Sequence, residues 1–120
     1  MNENELARIV YKKGLSLHKT LGPGLLESVY EECLEYELKQ AGLIVDRQRK
    51  IPIKYKGIEL ESGFRADLII NDKLLLELKS TKDIEPVHLA QTITYLKMSD
   101  IKLGFLINFN VSLFNLVSLL

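Results

Sequence analysis

Asp67, Glu77 and Lys79 are charged residues set into two short apolar runs, Phe64 to Ile70 and Leu74 to Lys79, on either side of Asn71-Asp72-Lys73. In an extended chain successive side chains point to opposite faces, so Ala66, Leu68 and Ile70 share one face, as do Leu74, Leu76 and Leu78. If both apolar sets face one core, the three-residue loop at 71 to 73 pairs Ile70 with Leu74, and that register sets Asp67 directly across from Glu77. Directly opposite residues have Cβ atoms about 4.5 to 5.5 Å apart, within reach of a shared cation, and Lys79 stands one step along the same face. Two like charges so placed destabilise a hairpin unless a cation or a proton comes between them. A hard divalent ion with oxygen ligands is the economical explanation.

The chemistry of such a set is specific. Carboxylates hold Mg²⁺, the ion lowers the pKa of its water, and a nearby ammonium offsets negative charge developing on a phosphate. No histidine or cysteine is needed. Gly24, Glu27 and Tyr30 are spaced by three in what reads as the second helix, along one side of its first two turns. Glu27 is therefore a candidate for a further oxygen ligand or for holding a metal-bound water. Each signal has a plainer reading. Asp followed by Glu-x-Lys arises by chance and can be a structural ion pair, and an acidic residue in the first turn of a helix is also what its dipole favours.

Leu6, Ile9, Val10, Leu17 and Leu21 recur at helical spacing, with Gly14 weakening the middle. Gly22-Pro23-Gly24 breaks that helix, and Pro23 suits the opening turn of a second one running to about Ala41, with Gly42 as its stop. Its predicted buried stripe is Leu26, Val29, Cys33 and Tyr36, flanked by Leu34 and Leu38. From Val45 the period becomes two: Val45, Arg47, Arg49, Ile51, Ile53 and Tyr55 share a face, opposite Asp46, Gln48, Lys50, Lys54 and Lys56. Pro52 cannot donate to a ladder, which makes this an edge strand or a bulged one. Lys56-Gly57 turns it into a strand from Ile58 through Gly63. A helix from Pro86 to about Met98 and a last strand from Lys102 to Phe109 complete the order.

This is a mixed α/β arrangement, read as one domain over residues 1–120, with a meander of three to four strands plus a C-terminal strand in a central sheet flanked by helices. Hydrophobic residues make up 47% and charged ones 27%, which excludes disorder across the chain. Sixteen basic residues balance sixteen acidic ones, so a polyanion has to be held by a local patch rather than an overall field. The single cysteine, Cys33, and the polar start Met1-Asn2-Glu3-Asn4-Glu5 point to a cytoplasmic protein. The uncharged run 111–120 is shorter than the ~18 residues of a membrane span, which makes it a core or interface segment.

Gly24-Leu-Leu-Glu27-Ser-Val-Tyr30 resembles the signature of the GxxExxY protein family, a compact branch of the PD-(D/E)XK nuclease superfamily, and Asp67 with Glu77-Leu78-Lys79 resembles the superfamily's own motif. The likeness runs from about His18 to Asn110. It includes Leu21-Gly-Pro-Gly24, Pro86-Val-His88-Leu-Ala-Gln91 and Leu103-Gly-Phe-Leu-Ile-Asn108. The resemblance implies a restriction-endonuclease-like core and one or two Mg²⁺ (or Mn²⁺) ions at Asp67 and Glu77. It also implies Lys79 as the residue orienting water or steadying phosphate charge, with Glu27 and Gln91 completing the site. The run 111–120 departs from the polar, basic tail that the resemblance implies. A tail docked on a partner protein or on a second copy, or a truncated gene product, accounts for the departure.

Gln91 shares a stripe with His88 and Tyr95, roughly opposite Leu89, Ile93 and Leu96, and only one of these stripes can face the sheet squarely. If the leucine stripe does, Gln91 cannot reach Asp67. His88 and Tyr95 are accessory candidates by position, while packing or hydrogen bonding is the plainer role for His88 and His18. Neither histidine has a second His or Cys at ligand spacing, so zinc is not expected. Arg47, Arg49, Lys50, Lys54 and Lys56 could track a phosphate backbone or merely protect an edge strand from aggregation. The leading expectation is a Mg²⁺-dependent nuclease acting on DNA or RNA. The alternative is a non-catalytic module that keeps the fold and binds protein or nucleic acid. A toxin or defence component is a distant third.

Overall fold

A computed structural model describes residues 1–119, the side chain of Ser62 excepted; Leu120, the end of the apolar run, lies outside the described residues. Helices α1 (Glu3–Leu21) and α2 (Glu27–Gln40) precede strands β1 (Val45–Tyr55), β2 (Ile58–Ile70) and β3 (Leu74–Lys79). Helix α3 (Pro86–Ser99) then leads to β4 (Leu103–Asn108) and β5 (Asn115–Leu119). The five strands form one sheet in chain order, antiparallel except for the parallel β3–β4 pair that α3 connects. The fold is thus a restriction-endonuclease-like α/β arrangement, with a three-strand meander where three to four were expected and one strand more at its C-terminal end.

Both faces of the sheet are covered. Leu6, Val10 and Leu17 of α1 and Tyr30, Leu34 and Leu38 of α2 pack on Leu68, Ile70, Leu74, Leu76, Leu78, Phe105 and Ile107. On the other face Tyr95 and Leu96 of α3 pack on Ile51, Ala66, Ile69 and Leu75. Central strands buried on both sides carry near-continuous apolar runs, which is why Leu74-Leu75-Leu76 shows no polar alternation. The last strand expected, ending at Phe109, is followed by β5, which pairs with β4 from Gly104–Leu119 to Asn108–Asn115.

Three local expectations are corrected. The second helix starts at Glu27 rather than at Pro23. Gly22 and Gly24 adopt φ of 69° and 102°, so the segment before Leu26 cannot be helical. The Tyr30 hydroxyl pins that segment, donating to the Gly22 carbonyl at 2.6 Å and accepting from the Leu25 N–H at 3.2 Å. The buried stripe of α2 is Tyr30, Leu34 and Leu38, whereas Leu26 and Tyr36 are 74% and 60% exposed. Stacking of the Tyr30 ring on Phe109, centroids 4.6 Å apart, fixes which side turns inward.

The third correction concerns Ala66. It packs on the α3 side, not with Leu68 and Ile70 on the α1–α2 side. The alternation therefore breaks between Ala66 and Leu68, next to Asp67. In β1 the paired residues skip Gln48, which holds φ at 56° between Arg47–Leu68 and Arg49–Ala66. Pro52 sits both on an edge strand and at a bulge, where the register shifts between Ile51 and Ile53. Pairing of β2 with β3 covers only Leu68 to Ile70. The rest of the β1–β2 hairpin runs on as a two-stranded ribbon.

Candidate functional site

The strand register sets up the site. Ile70 pairs with Leu74 and Leu68 with Leu76, so the next step places Asp67 opposite Glu77. There side chains take over from the ladder. The Asp67 N–H donates to Glu77 Oε1 at 3.0 Å, and Asp67 Oδ2 accepts from the Leu78 N–H at 2.8 Å. Each carboxyl group is oriented by the backbone of the opposite strand.

Glu77 is only 5% exposed, and Asp67 is half-buried. Burial first, then the charge of Asp67, pushes Glu77 up to about 8, against the Asp67 N–H and the charge of Lys79. Burial likewise pushes Asp67 up to about 6; the Leu78 N–H and the Gln48 amide oppose this, while Glu31 and Glu27 add to it. Both carboxyls resist ionisation because they are desolvated among other negative charges. Lys79 acts electrostatically on Glu77, and its carbonyl accepts from the Phe109 N–H at 2.9 Å. Fully buried Asn108, beside Lys79 in the β3–β4 register, ties down the following loop. Its Oδ1 accepts from the Thr81 N–H at 3.2 Å and its Nδ2 donates to the Thr81 carbonyl at 2.9 Å.

A cleft of about 210 Å³ opens beside Asp67, lined by Glu27, Ser28, Glu31, Gln48 and Asp67. Three of these lining residues, Ser28, Glu31 and Gln48, lie outside the sequence-predicted site. Glu31, 6% exposed, follows Glu27 by one helical turn and accepts from Arg47 Nε at 2.9 Å. Gln48 Nε2 donates to Glu31 Oε1 at 2.6 Å and lies 3.2 Å from Asp67 Oδ1, so one amide bridges two carboxylates. The available signal was the Glu27–Glu31 spacing of four on one helix face.

Of the other candidates, Glu27 lines the cleft, and its charge acts on both Asp67 and Glu77. Gly24 lies outside the helix, and Tyr30 is the buried latch described above. Tyr95 and Thr92 form the sheet-facing side of α3 together with Leu96, while Ile93 is 39% exposed. The sheet-facing side thus falls between the two stripes, with Tyr95 from one and Leu96 from the other. Burial, with the charges of Glu77 and Asp67, pushes the Tyr95 hydroxyl up to about 12, which places it within the field of the acidic pair. Gln91 lies half-buried one turn earlier. His88 is engaged elsewhere: its Nδ1 accepts from the Glu85 N–H at 3.0 Å in the capping box that starts α3.

The model of the PD-(D/E)XK nuclease superfamily matches residues 4–117. The chain belongs to the PD-(D/E)XK nuclease superfamily. Neither a curated protein nor a solved structure matches it. Among the described residues no three His, Cys, Asp or Glu side chains converge as a metal cage. Two carboxylates suffice for Mg²⁺, which keeps several waters and takes one or two protein carboxylates. The buried pair of this PD-(D/E)XK protein also has the excess negative charge that a dication relieves, so the residues present fit such an ion. No described helix is long and apolar enough to cross a membrane.

Proposed function

We propose that this PD-(D/E)XK protein is a metal-dependent nuclease that hydrolyses phosphodiester bonds in DNA or RNA. The observation that carries the reading is the Asp67–Glu77 pair: two desolvated carboxylates, each fixed by the opposite strand, beside the Lys79 ammonium. Asp67 and Glu77 hold Mg²⁺ or Mn²⁺, with Glu27 at the cleft mouth as a further oxygen donor. When bound, such an ion lowers the pKa of a water and offsets phosphate charge. Lys79 steadies the negative charge that develops on the phosphate, a preorganised cation in a water-poor site. Gln91 and Tyr95 belong to the α3 wall of the same site, with His88 holding the start of that helix. The Gly24, Glu27 and Tyr30 pattern further supports placement in the GxxExxY branch. Its glycine permits the turn, its tyrosine locks that turn, and its glutamate is left facing the cleft.

Calorimetric titration with Mg²⁺ and Mn²⁺ tests the reading, alongside cleavage of labelled DNA and RNA. Wild type should bind and cleave, Asp67→Ala should do neither, and Lys79→Ala should bind metal with little cleavage. Equal, negligible heats for wild type and Asp67→Ala would overturn the enzyme and leave a binding module on the nuclease fold.

A further inference from the structure

The ribbon that extends β1 and β2 past β3 has one covered face and one open face. Phe64, Ala66 and Ile51 turn to α3, with the Phe64 and Tyr95 ring centroids 4.5 Å apart. The opposite face carries Lys50 and Arg65, both exposed and directly paired across the strands. Like charges directly opposite destabilise a sheet, and folding gives no reason for this pair. Other cations of β1 stand against acidic residues. Arg47 is bonded to Glu31 and Glu35, Arg49 to Asp46 and Asp72, and Lys54 stands opposite Glu59. Among the described residues, no carboxylate lies within ion-pair distance of Lys50 or Arg65.

Position adds a second reason. Arg65 precedes Asp67 by two residues in β2, and Gln48 touches both, its carbonyl accepting from Arg65 Nη1 and its amide lying 3.2 Å from Asp67 Oδ1. The Arg65 guanidinium leans back to the Gln48 carbonyl at 3.4 Å, towards the acidic cleft. A polyanion crossing Asp67 meets the two cations next. Towards the tip, Glu59 and Glu61 line a hollow with Lys50 and Pro52 and bound the basic stretch.

We propose that Lys50 and Arg65 grip the phosphate backbone of the nucleic-acid strand next to the bond positioned at Asp67 and Glu77. The inference rests on the nuclease reading and assigns its substrate contact. Two adjacent phosphates offset the repulsion that the bare hairpin carries, and in a neutral chain such a local patch supplies the attraction that net charge does not.

Fluorescence anisotropy with a labelled DNA duplex, its single strand and the matching RNA, each titrated across a salt series with and without Ca²⁺, tests this. The double variant Lys50→Ala/Arg65→Ala should bind more weakly, and its plot of log affinity against log salt should be shallower by about 1 per lost contact. Lys12→Ala, an exposed lysine of α1, should leave the slope as in wild type. Arg65→Glu gives an independent readout. It turns a like-charged pair into an attractive one, so the melting temperature should hold or rise while binding falls. A merely structural Arg65 would show a lower melting temperature and normal binding. Wild-type binding with an unchanged slope in the double variant overturns the inference and leaves the nuclease reading to its metal titration. No wild-type binding to any of the three probes overturns the inference and the nucleic-acid substrate together.

Discussion

The N–H of Asp67 donates to Glu77 Oε1 at 3.0 Å across the β2–β3 hairpin, so the two acidic residues are locked to each other even though their charges repel. Their protonation therefore couples directly to folding. Unfolded, both titrate near ordinary carboxyl values of about 4. Folded, Asp67 is pushed up to about 6 and Glu77 to about 8, chiefly by burial. Between those limits the folded chain binds more protons than the unfolded one, so stability falls as pH rises. The contribution of the protonated pair is complete below about pH 4 and is lost as pH climbs through 6 and then 8. Thermal melts in chelator should show the melting temperature declining from pH 5 to pH 9. Glu77→Gln should flatten most of that decline, and Mg²⁺ should oppose it by taking the place of the protons. A melting temperature that rises over this range in chelator contradicts the assignment.

Gln48 carries a second prediction. Its amide separates Glu31 from Asp67, and its backbone holds a positive φ of 56° that costs a non-glycine residue roughly 1 kcal/mol. Gln48→Gly should relieve that backbone cost while removing the bridge. Loss of a hydrogen bond to a charged group is worth about 1.5 to 3 kcal/mol, so a modest net destabilisation is expected. Metal affinity measured by calorimetry should change with it, because Asp67 Oδ1 loses its donor. An unchanged affinity would mean that the amide does not position Asp67.

Tyr30 serves the site from a distance. Its hydroxyl bonds both sides of the Gly22–Leu25 turn, which leads into the helix that presents Glu27 and Glu31 to the cleft. Tyr30→Phe keeps the stacking on Phe109 and strands the Gly22 carbonyl, at a cost of about 1 to 3 kcal/mol. Hydrogen exchange should quicken at residues 22 to 27 and remain slow in β3 and β4. Uniform loss of protection would assign Tyr30 to the core alone.

The Asp67–Glu77 juxtaposition was legible because a period of two and a three-residue loop leave a hairpin little freedom of register. The edge position of β1 and its bulge followed from Pro52 for a similarly local reason. Glu31 and Gln48 were not legible. A glutamate inside a helix and a polar residue on an alternating edge strand look like solvent-facing positions. They meet only because α2 lies across β1, a non-local contact. The inward face of α2 differs from the expected one because Leu26 and Tyr36 are apolar enough to suggest a stripe, yet they stand exposed while the flanking Leu34 and Leu38 are buried with Tyr30. Ala66 lies on the side opposite to the expected one because no residue type announces a break in alternation. Gln48 adopts the required positive φ without being glycine.

Gly14, which weakens α1 as a helix, is explained by the apolar tail. A Cβ there would lie 2.8 Å from Phe114 Cζ, so the missing side chain is the seat of that ring. Phe114 also meets Tyr11, His18 and Phe109, each with centroids 5.8 Å away, and His18 Nε2 lies 2.7 Å from the Val111 carbonyl oxygen. Residues 111–119 thus fasten β5 to α1 of the same chain and close the core beside Phe109. Phe109 in turn stacks on Tyr30 and follows Asn108, so tail, latch and Lys79 loop share one packing unit. Phe114→Ala should cost about 2 kcal/mol, less than the ~3 to 5 of a fully buried phenylalanine because the ring is half-buried. Leu113→Asp, at a position 81% exposed, should leave the melting temperature within a degree or two of wild type. Denaturant melts of both variants decide the matter. Equal losses, or a larger loss at Leu113, would mean that the tail's stabilising contacts are made outside its own chain.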